Sequence, residues 1–108
     1  MKSVMLPLRI VSVANLREHW SKRAKRAKAH RAAAIAVPQH PLPCVVTIIR
    51  IAPRMLDDDN MQSGAKALRD GIADRLGVKD NDPRVQWLYR QERGDPKQYL
   101  VHVIIEPA

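Results

Sequence analysis

The sequence predicts an α+β fold in which a small mixed sheet packs against two helices. β-branched, mostly apolar runs alternate with segments whose apolar residues recur every three or four positions. These segments follow one another in the order β-α-β-α-β-β, which is typical of a sheet layered with helices. The length of 108 residues suits one modest hydrophobic core, so we expect a single domain over residues 1–108.

Four segments are predicted to form the sheet. Alternation over residues 5–13 indicates a first strand, and Pro7 favours an edge position for it. The run 44–52, "CVVTIIRIA", is typical of a central strand because almost every residue is apolar. Residues 84–92 and 98–106 indicate two further strands, and the Gly-containing turn "RGDPK" between them predicts a hairpin.

The first helix is predicted over residues 14–37. Asn15 can cap it, and Glu18 three residues later completes a capping box. We expect a narrow inward face made mostly of alanine, with Trp20 in the core. That face would contain Trp20, Ala24, Ala27 and Ala34.

The second helix is predicted over residues 60–76, followed by a stop at Gly77 and a loop over 78–83. Its apolar residues recur at spacings of four, three, four and four, which gives one inward face. That face contains Met61, Ala65, Leu68, Ile72 and Leu76.

Cysteine content and hydropathy restrict the class of protein. The single cysteine, Cys44, excludes an internal disulfide and argues against a cysteine-based zinc site, so we expect a buried thiol in a reducing cytosol. No run approaches the roughly 18 apolar residues of a membrane span. The first ten residues are typical of a strand, whereas a signal peptide has a longer apolar core. We therefore expect a cytoplasmic location and no contact with a membrane.

Charge is distributed unevenly along the chain. Residues 1–54 hold 11 Lys and Arg against one acid, and residues 55–108 hold 8 against 10 acids. The formal net charge of +8 and the pI near 10.3 favour a polyanionic partner, most often nucleic acid. An anionic membrane surface is less favoured, because the basic segment has few bulky apolar residues to insert into lipid.

Three consecutive carboxylates, Asp57 to Asp59, stand out in this basic chain. Acids before a helix are ordinary caps and interact favourably with the helix dipole. One cap does not account for three adjacent like charges, which a bound cation would neutralise. If the segment is extended, Asp57 and Asp59 point the same way and can share a hard ion such as Mg²⁺, with Mn²⁺ as the alternative. The loop after the second helix can bring Asp80 or Asp82 to the same ion.

Lys66 follows Asp59 by seven residues, or about two helical turns, and lies off the apolar face. It could offset charge on a phosphate at this site. The alternative is a solvated helix lysine, with or without Asp70 as its partner four residues on.

The motifs in this region resemble those of the RusA-type Holliday-junction resolvases, a family of phage and prophage endonucleases. "DDDN" at 57–60 resembles the family's D-x-D-N, and "AKALRDGI" at 65–72 resembles K-A-x-x-D-A-L. "KDNDPRV" at 79–85 resembles the later D-D-x-x-V. The stretch between Asp59 and Lys66 is longer here by three residues, as if "MQS" were inserted, and the later acids read Asp-Asn-Asp.

The resemblance implies a site and an activity. It places metal-binding carboxylates at Asp57, Asp59 and Asp82 and a catalytic lysine at Lys66. Asp82 is preferred because it lies three residues before Val85, as in the pattern, although Asp80 remains an alternative. The implied activity is Mg²⁺-dependent cutting of a four-way DNA junction by paired nicks, in recombination and repair. The implied assembly is a homodimer, and no small-molecule cofactor is expected.

The segment 22–31, "KRAKRAKAHR", is the expected contact to the DNA backbone, in a mode led by structure and weakened by salt. The alternative is a solvated face that keeps the protein soluble. For Trp20, just before this segment, the alternative to a place in the core is a wedge at the centre of the junction. The candidate DNA-binding residues are Lys22, Arg23, Lys25, Arg26, Lys28 and Arg31.

Two other functions fit the same sequence. One is a DNA-binding accessory protein of recombination that keeps the fold and lacks the chemistry, which the longer spacing between Asp59 and Lys66 favours. The other is a related nuclease that acts on flaps or forks.

Overall fold

The computed structural model describes residues 1–12 and 18–108, and these form four strands and two α-helices. The predicted α+β class and the order β-α-β-α-β-β are confirmed. The elements are β1 (Lys2–Leu6), α1 (Trp20–Ala33), β2 (Cys44–Ala52), α2 (Asp58–Leu76), β3 (Val85–Arg93) and β4 (Leu100–Pro107), with a 3₁₀ turn at Ala34–Ala36 after α1.

The four strands form one mixed sheet in the order β1-β4-β2-β3. β2 is internal, as its apolar sequence predicts. It pairs in parallel with β3 and antiparallel with β4, whereas β1 pairs antiparallel with β4 at the edge. The register aligns Leu6, Val101, Arg50 and Gln91 across the sheet. The ends of β1, β2 and β3 therefore meet at one edge, which we call the carboxyl edge.

The predicted hairpin of the last two strands is wrong, because β2 lies between β3 and β4. The connection over residues 94–99 passes across the end of β2, where the Gly94 N–H donates to the Ala52 carbonyl oxygen at 2.9 Å. Lys97 adopts φ 64° in this connection. Two interstrand spacings of about 4.8 Å are within reach of six residues. β2 is paired along both edges in this arrangement, in parallel with β3 and antiparallel with β4.

The first strand is shorter than predicted and begins earlier, since β1 ends at Leu6 and residues 7–12 leave the sheet. Pro7 has no N–H to donate to the ladder, which explains the end of the strand and its edge position. Residue 13 of the predicted strand lies outside the described residues.

The inward face predicted for α1 is wrong. Trp20 is 74% exposed, and Ala24 and Ala27 are exposed as well, so of the predicted four only Ala34 is buried. The inward positions instead contain His30, which is buried, and Arg26, which is partly buried. A seam of small residues has a weak apolar preference, so a favourable ion pair can decide which side of the helix turns inward. Arg26 has such a pair with Glu18, Nη1 to Oε2 at 3.1 Å.

The predicted capping box does not start α1. His19 is the N-cap, and its Nδ1 accepts from the Ser21 N–H at 3.2 Å. Glu18 precedes the cap, and its carboxylate accepts a hydrogen bond from Arg26. Asn15, the predicted cap, lies outside the described residues.

Helix α2 packs as predicted and begins two residues earlier. Met61, Ala65, Leu68 and Ile72 are buried against the sheet, and Leu76 is partly buried. Gly77 ends the helix at φ 74°, with its N–H donating to the carbonyl oxygens of Ala73 and Asp74. The left-handed conformation is the one that glycine adopts without a Cβ penalty.

The core lies between one face of the sheet and α2, and α1 packs on α2, with the turn after α1 contributing Ala34 to the core. It contains Cys44, Val46 and Ile48 of β2 together with apolar residues of α2. Burial raises the pKa of the Cys44 thiol, as expected for a structural cysteine. Neither helix in the described ranges, 1–12 and 18–108, is long and apolar enough to cross a membrane.

Candidate metal and nucleic-acid site

The acidic triplet lies at the carboxyl edge, where the chain leaves β2 and starts α2. Asp57 is the N-cap of α2, and Asp58 and Asp59 occupy its first turn. The expectation that Asp57 and Asp59 share a direction in extended chain is therefore wrong, because successive helical residues rotate by about 100°. The favourable interaction of acids with the helix N-terminus accounts for this placement.

None of the three carboxylates has an ion-pair partner among residues 1–12 and 18–108. Each of the three residues is exposed, and the Asp57 side chain makes no capping hydrogen bond. Because no cation of the described residues pairs with these three adjacent negative charges, their oxygens are available to a cation from solution.

Gln91 fixes the backbone just before the triplet. Its Oε1 accepts from the Leu56 N–H at 2.8 Å, and its Nε2 donates to the Leu56 carbonyl oxygen at 2.7 Å. The side chain thus pairs with Leu56 as a neighbouring strand would. Gln91 also accepts from Arg50 Nη1 at 3.3 Å, so the start of α2 is tied to both β2 and β3. Sequence reasoning missed Gln91, because a lone glutamine in a strand shows no pattern.

The later acids of the loop 77–84 point to different partners. Asp82 is paired with Arg84: its Oδ1 accepts from the Arg84 N–H at 2.9 Å, and its Oδ2 lies 2.9 Å from Arg84 Nη2. The Arg84 guanidinium and N–H together lower the pKa of Asp82 to about 2. Both carboxylate oxygens of Asp82, the preferred ligand from the sequence, are therefore already engaged by cationic or N–H donors.

Asp80, the alternative ligand, is held on the other side of the loop. Its carbonyl oxygen accepts from Arg69 Nη2 at 2.7 Å and from Trp87 Nε1 at 3.0 Å. The Arg69 guanidinium also lies over the Trp87 ring at 4.7 Å and donates to the Tyr89 hydroxyl at 2.9 Å. These contacts fix the Asp80 backbone, and its Oδ2 then lies 3.6 Å from Lys66 Nζ.

Lys66 projects from the exposed side of α2, as predicted, and has two acidic neighbours. Its Nζ lies 3.2 Å from Asp70 Oδ1 as well as near Asp80. Seven residues of helix separate it from Asp59, a rise of about 10 Å. Among the described residues, no group of three or more His, Cys, Asp or Glu side chains lies close enough to hold a metal ion. The structure therefore separates the acidic triplet from a second cluster of Lys66, Asp70 and Asp80.

The basic candidates of α1 fall into two groups. Lys22, Lys25 and Lys28 are exposed, and no ion pair reaches them in the described part of the chain. Arg26 pairs with Glu18 and Arg31 with Asp74, while Arg23 lies 3.9 Å from Glu18. Lys25 and Lys28 therefore carry charges that no acid among the described residues offsets, whereas the charge of Lys22 helps to lower the pKa of Glu18.

A groove of about 260 Å³ runs between α1 and α2. Arg23, Arg26 and His30 line one wall, and Lys66 and Asp70 line the other. His30 is 6% exposed, and burial followed by the charge of Arg26 lowers its pKa, which favours the neutral imidazole. Sequence spacing gave no signal for His30, since its burial follows from the rotation of α1.

Comparison with known proteins does not assign the chain to a family, since no family model matches it and no curated protein matches it.

Proposed function

We propose that the chain is a metal-dependent endonuclease that nicks branched DNA, with the four-way junction as its preferred substrate. One observation carries the proposal. Three exposed carboxylates that no ion pair reaches in the described part of the chain are held at the carboxyl edge of a protein with a net charge of +8. A basic protein attracts DNA, and an acidic island on it repels phosphate unless a cation stands between them.

The donor set fits Mg²⁺, with Mn²⁺ as the alternative. Asp57 and Asp59 offer oxygen ligands only, and Mg²⁺ is commonly held by one or two carboxylates with water and substrate phosphate completing its shell. A protein cluster of three acids is therefore not required. When bound, such an ion would supply an activated water and stabilise charge on the phosphodiester.

Of the two later acids we propose Asp80 in place of Asp82, in a role beside Lys66 and apart from the ion at the acidic triplet. Both oxygens of Asp82 are paired with Arg84, whereas the Asp80 carboxylate has, among the described residues, the side chains of Lys66 and Arg69 near it, at 3.6 and 4.0 Å. Since Lys66 is 65% exposed, it can turn from Asp80 and Asp70 toward a DNA phosphate without leaving a buried charge behind. Lys66 would then hold that phosphate as a positive point charge.

DNA backbone binding is assigned to α1. Lys22, Lys25 and Lys28 would make the direct phosphate contacts, because they are exposed and no ion pair reaches them in the described residues. The positive electrostatic potential of this surface would also include the three arginines that lie close to Glu18 or Asp74, namely Arg23, Arg26 and Arg31. Binding of this kind releases counterions and weakens steeply with salt.

A four-way junction has two-fold symmetry, so two nicks placed symmetrically require two sites. We propose that a homodimer supplies them, since a two-fold assembly presents the same surface twice. We also propose that the protein acts in the cytoplasm, which agrees with a buried, unpaired Cys44.

The alternative function is a DNA-binding accessory protein of recombination without catalysis. The pairing of Lys66 with Asp70 and Asp80, apart from the acidic triplet, favours it. Such a protein would bind junctions through α1, and its function would not require a metal ion at Asp57 and Asp59.

A nicking assay tests the proposal and separates the alternatives. Full-length protein is incubated with labelled four-way junction, fork, flap and linear duplex of matched sequence, with Mg²⁺ or with EDTA. We expect paired nicks in the junction with Mg²⁺ and none with EDTA or in the linear duplex. Nicking of forks or flaps in preference to junctions would identify the related nuclease. Tight junction binding without nicking in Mg²⁺ or Mn²⁺ would establish the accessory protein and refute the enzyme.

A further inference from the structure

A second pocket opens at the carboxyl edge, on the side of the acidic triplet that faces β1 and β4. It has a volume of about 290 Å³ and lies between the segment that follows β1 and the segment that follows β2. Its polar lining consists of Arg9, Ser12, Arg50, Arg54 and Tyr99. Leu56, which Gln91 clamps, forms the wall shared with the start of α2. Three arginines in one pocket predict an anionic ligand.

Arg50 is the central cation of this pocket, and it is 6% exposed. Its Nε donates to the Ile10 carbonyl oxygen at 2.9 Å, and its Nη1 donates to the Arg54 carbonyl oxygen and to Gln91 Oε1. All three acceptors are neutral. No carboxylate pairs with Arg50 in residues 1–12 and 18–108, and the sequence of residues 13–17 contains no acid. A buried charge of this kind is costly until an anion compensates it.

Arg9 and Arg54 add positive charge at the mouth of the pocket. Both are exposed, and Arg9 is oriented by the Tyr99 ring, with its guanidinium carbon 4.1 Å from the ring centroid. The guanidinium groups of Arg9 and Arg50 repel each other. Burial, and then this repulsion, lower the pKa of Arg50. The fold holds like charges together here without an acid to separate them.

The hydroxyl of Ser12 is the unexplained polar group of the pocket. Its Oγ is enclosed and has no hydrogen-bond partner among the described residues. Buried hydroxyls are normally paired, because an unsatisfied one costs free energy. A ligand oxygen in the pocket would accept this hydrogen bond and also the guanidinium N–H groups.

We infer that this pocket binds a phosphate group of the nucleic-acid backbone. Phosphate matches the fork of N–H donors on arginine and tolerates several cations at once, and an added hydroxyl donor suits its remaining oxygen. The inference rests on the proposed function for the choice of nucleic acid as the source of the phosphate. Because Leu56 borders both features, a phosphate held here would fix the DNA strand next to the acidic triplet, which orients the strand without taking part in cutting.

The test begins with inorganic phosphate and full-length protein in EDTA, where cutting plays no part. The arginine Nε resonance of Arg50 is followed by nuclear magnetic resonance while phosphate is titrated. We expect a saturable shift in the wild type. The pocket variant Arg9→Gln/Arg54→Gln should need at least about fivefold more phosphate for half-saturation. Ser12→Ala should also need more phosphate than the wild type, by a smaller factor. The control Arg90→Gln/Arg93→Gln removes the same charge from exposed positions of β3 and should behave as the wild type.

The second arm uses labelled four-way junction, again in EDTA, and measures its dissociation constant by fluorescence anisotropy. The pocket variant should bind at least about fivefold more weakly than the control variant. A shift that does not saturate with phosphate, or that is equal in the two double variants, would refute the inference that this pocket binds phosphate. Phosphate binding without any difference in junction affinity would show that the ligand is a free phosphate and refute nucleic acid as its source. Neither readout depends on nicking, so failure of the proposed enzyme leaves both arms interpretable.

Discussion

Asp59→Asn is expected to reduce Mg²⁺-dependent nicking of a four-way junction by roughly 100-fold or more. The change keeps the size of the side chain and removes one negative oxygen from the proposed metal site. Loss of groups that only support metal ligands already costs about 10–100-fold, so loss of a direct ligand should cost at least as much. Nicking rates at saturating protein, with wild type and variant side by side, give the measurement.

The fold and the DNA affinity of this variant should survive. Asp59 is exposed, and no ion pair reaches it in the described residues, so only its interaction with the helix dipole is lost, about 0.3–1 kcal/mol. Junction binding in EDTA should be equal or tighter, because phosphate repulsion falls. Asp95→Asn, in the exposed connection between β3 and β4, is the matched control and should cut normally. An Asp59→Asn protein that cuts within about threefold of wild type would remove Asp59 from the site.

Gly71→Ala is expected to destabilise the protein by about 1–3 kcal/mol, although the same change in an open helix stabilises by about 0.5–1 kcal/mol. A Cβ at position 71 would lie 2.5 Å from the Arg31 carbonyl oxygen and 2.7 Å from the Ala34 Cβ. Both atoms belong to the end of α1 and the turn after it, so relief requires the helices to separate. Urea unfolding of the wild type and the variant gives the change in the free energy of unfolding and the sign of that change.

Ser63→Ala is the control for this prediction. Ser63 is exposed on α2, and alanine has the higher helix propensity, so its free energy of unfolding should stay equal or rise slightly. Gly64→Ala should behave like Gly71→Ala, because a Cβ there would meet the Val11 carbonyl oxygen at 2.4 Å. A stabilised Gly71→Ala protein would show that α1 and α2 do not approach as closely as described.

Much of the fold could be predicted because strong apolar periodicity leaves few arrangements. The four-three-four-four spacing of α2 and the glycine after it predicted a helix whose buried face and end are both confirmed. The apolar run of β2 predicted its central position. The hairpin prediction failed for a related reason. A short turn containing glycine indicates that the chain reverses, but it does not specify whether a third strand lies between the two.

The orientation of α1 could not be predicted, because its face of small residues carries little apolar information. Alanine at positions 24 and 27 can be buried or exposed at little cost in free energy. The side of α1 that faces inward is instead set by the ion pair between Arg26 and Glu18 and by the burial of His30. Trp20 was assigned to the core on hydrophobicity alone and is exposed, with its ring 5.4 Å from that of His19.

The candidate site was predicted in its residue types more than in its geometry. The sequence indicated an acidic triplet, a lysine on the outer face of α2 and a later acid. The lysine and the later acid lie on the predicted helix and loop, whereas Asp58 and Asp59 lie in the first turn of α2. It did not indicate that the triplet starts a helix, or that Arg84 engages Asp82 while Lys66 faces Asp80. Such pairings depend on side-chain rotamers and loop closure, which spacing along the chain does not encode.

Manganese binding to the full-length protein tests the central claim most directly, namely that the acidic triplet holds a divalent cation. Free Mn²⁺ is counted by electron paramagnetic resonance during titration of wild type, Asp57→Asn/Asp59→Asn and the control Asp95→Asn. We expect saturable binding to the wild type and the control, with affinity at least about tenfold lower in the double variant. Equal binding by all three proteins, or no saturable binding by the wild type, would contradict it.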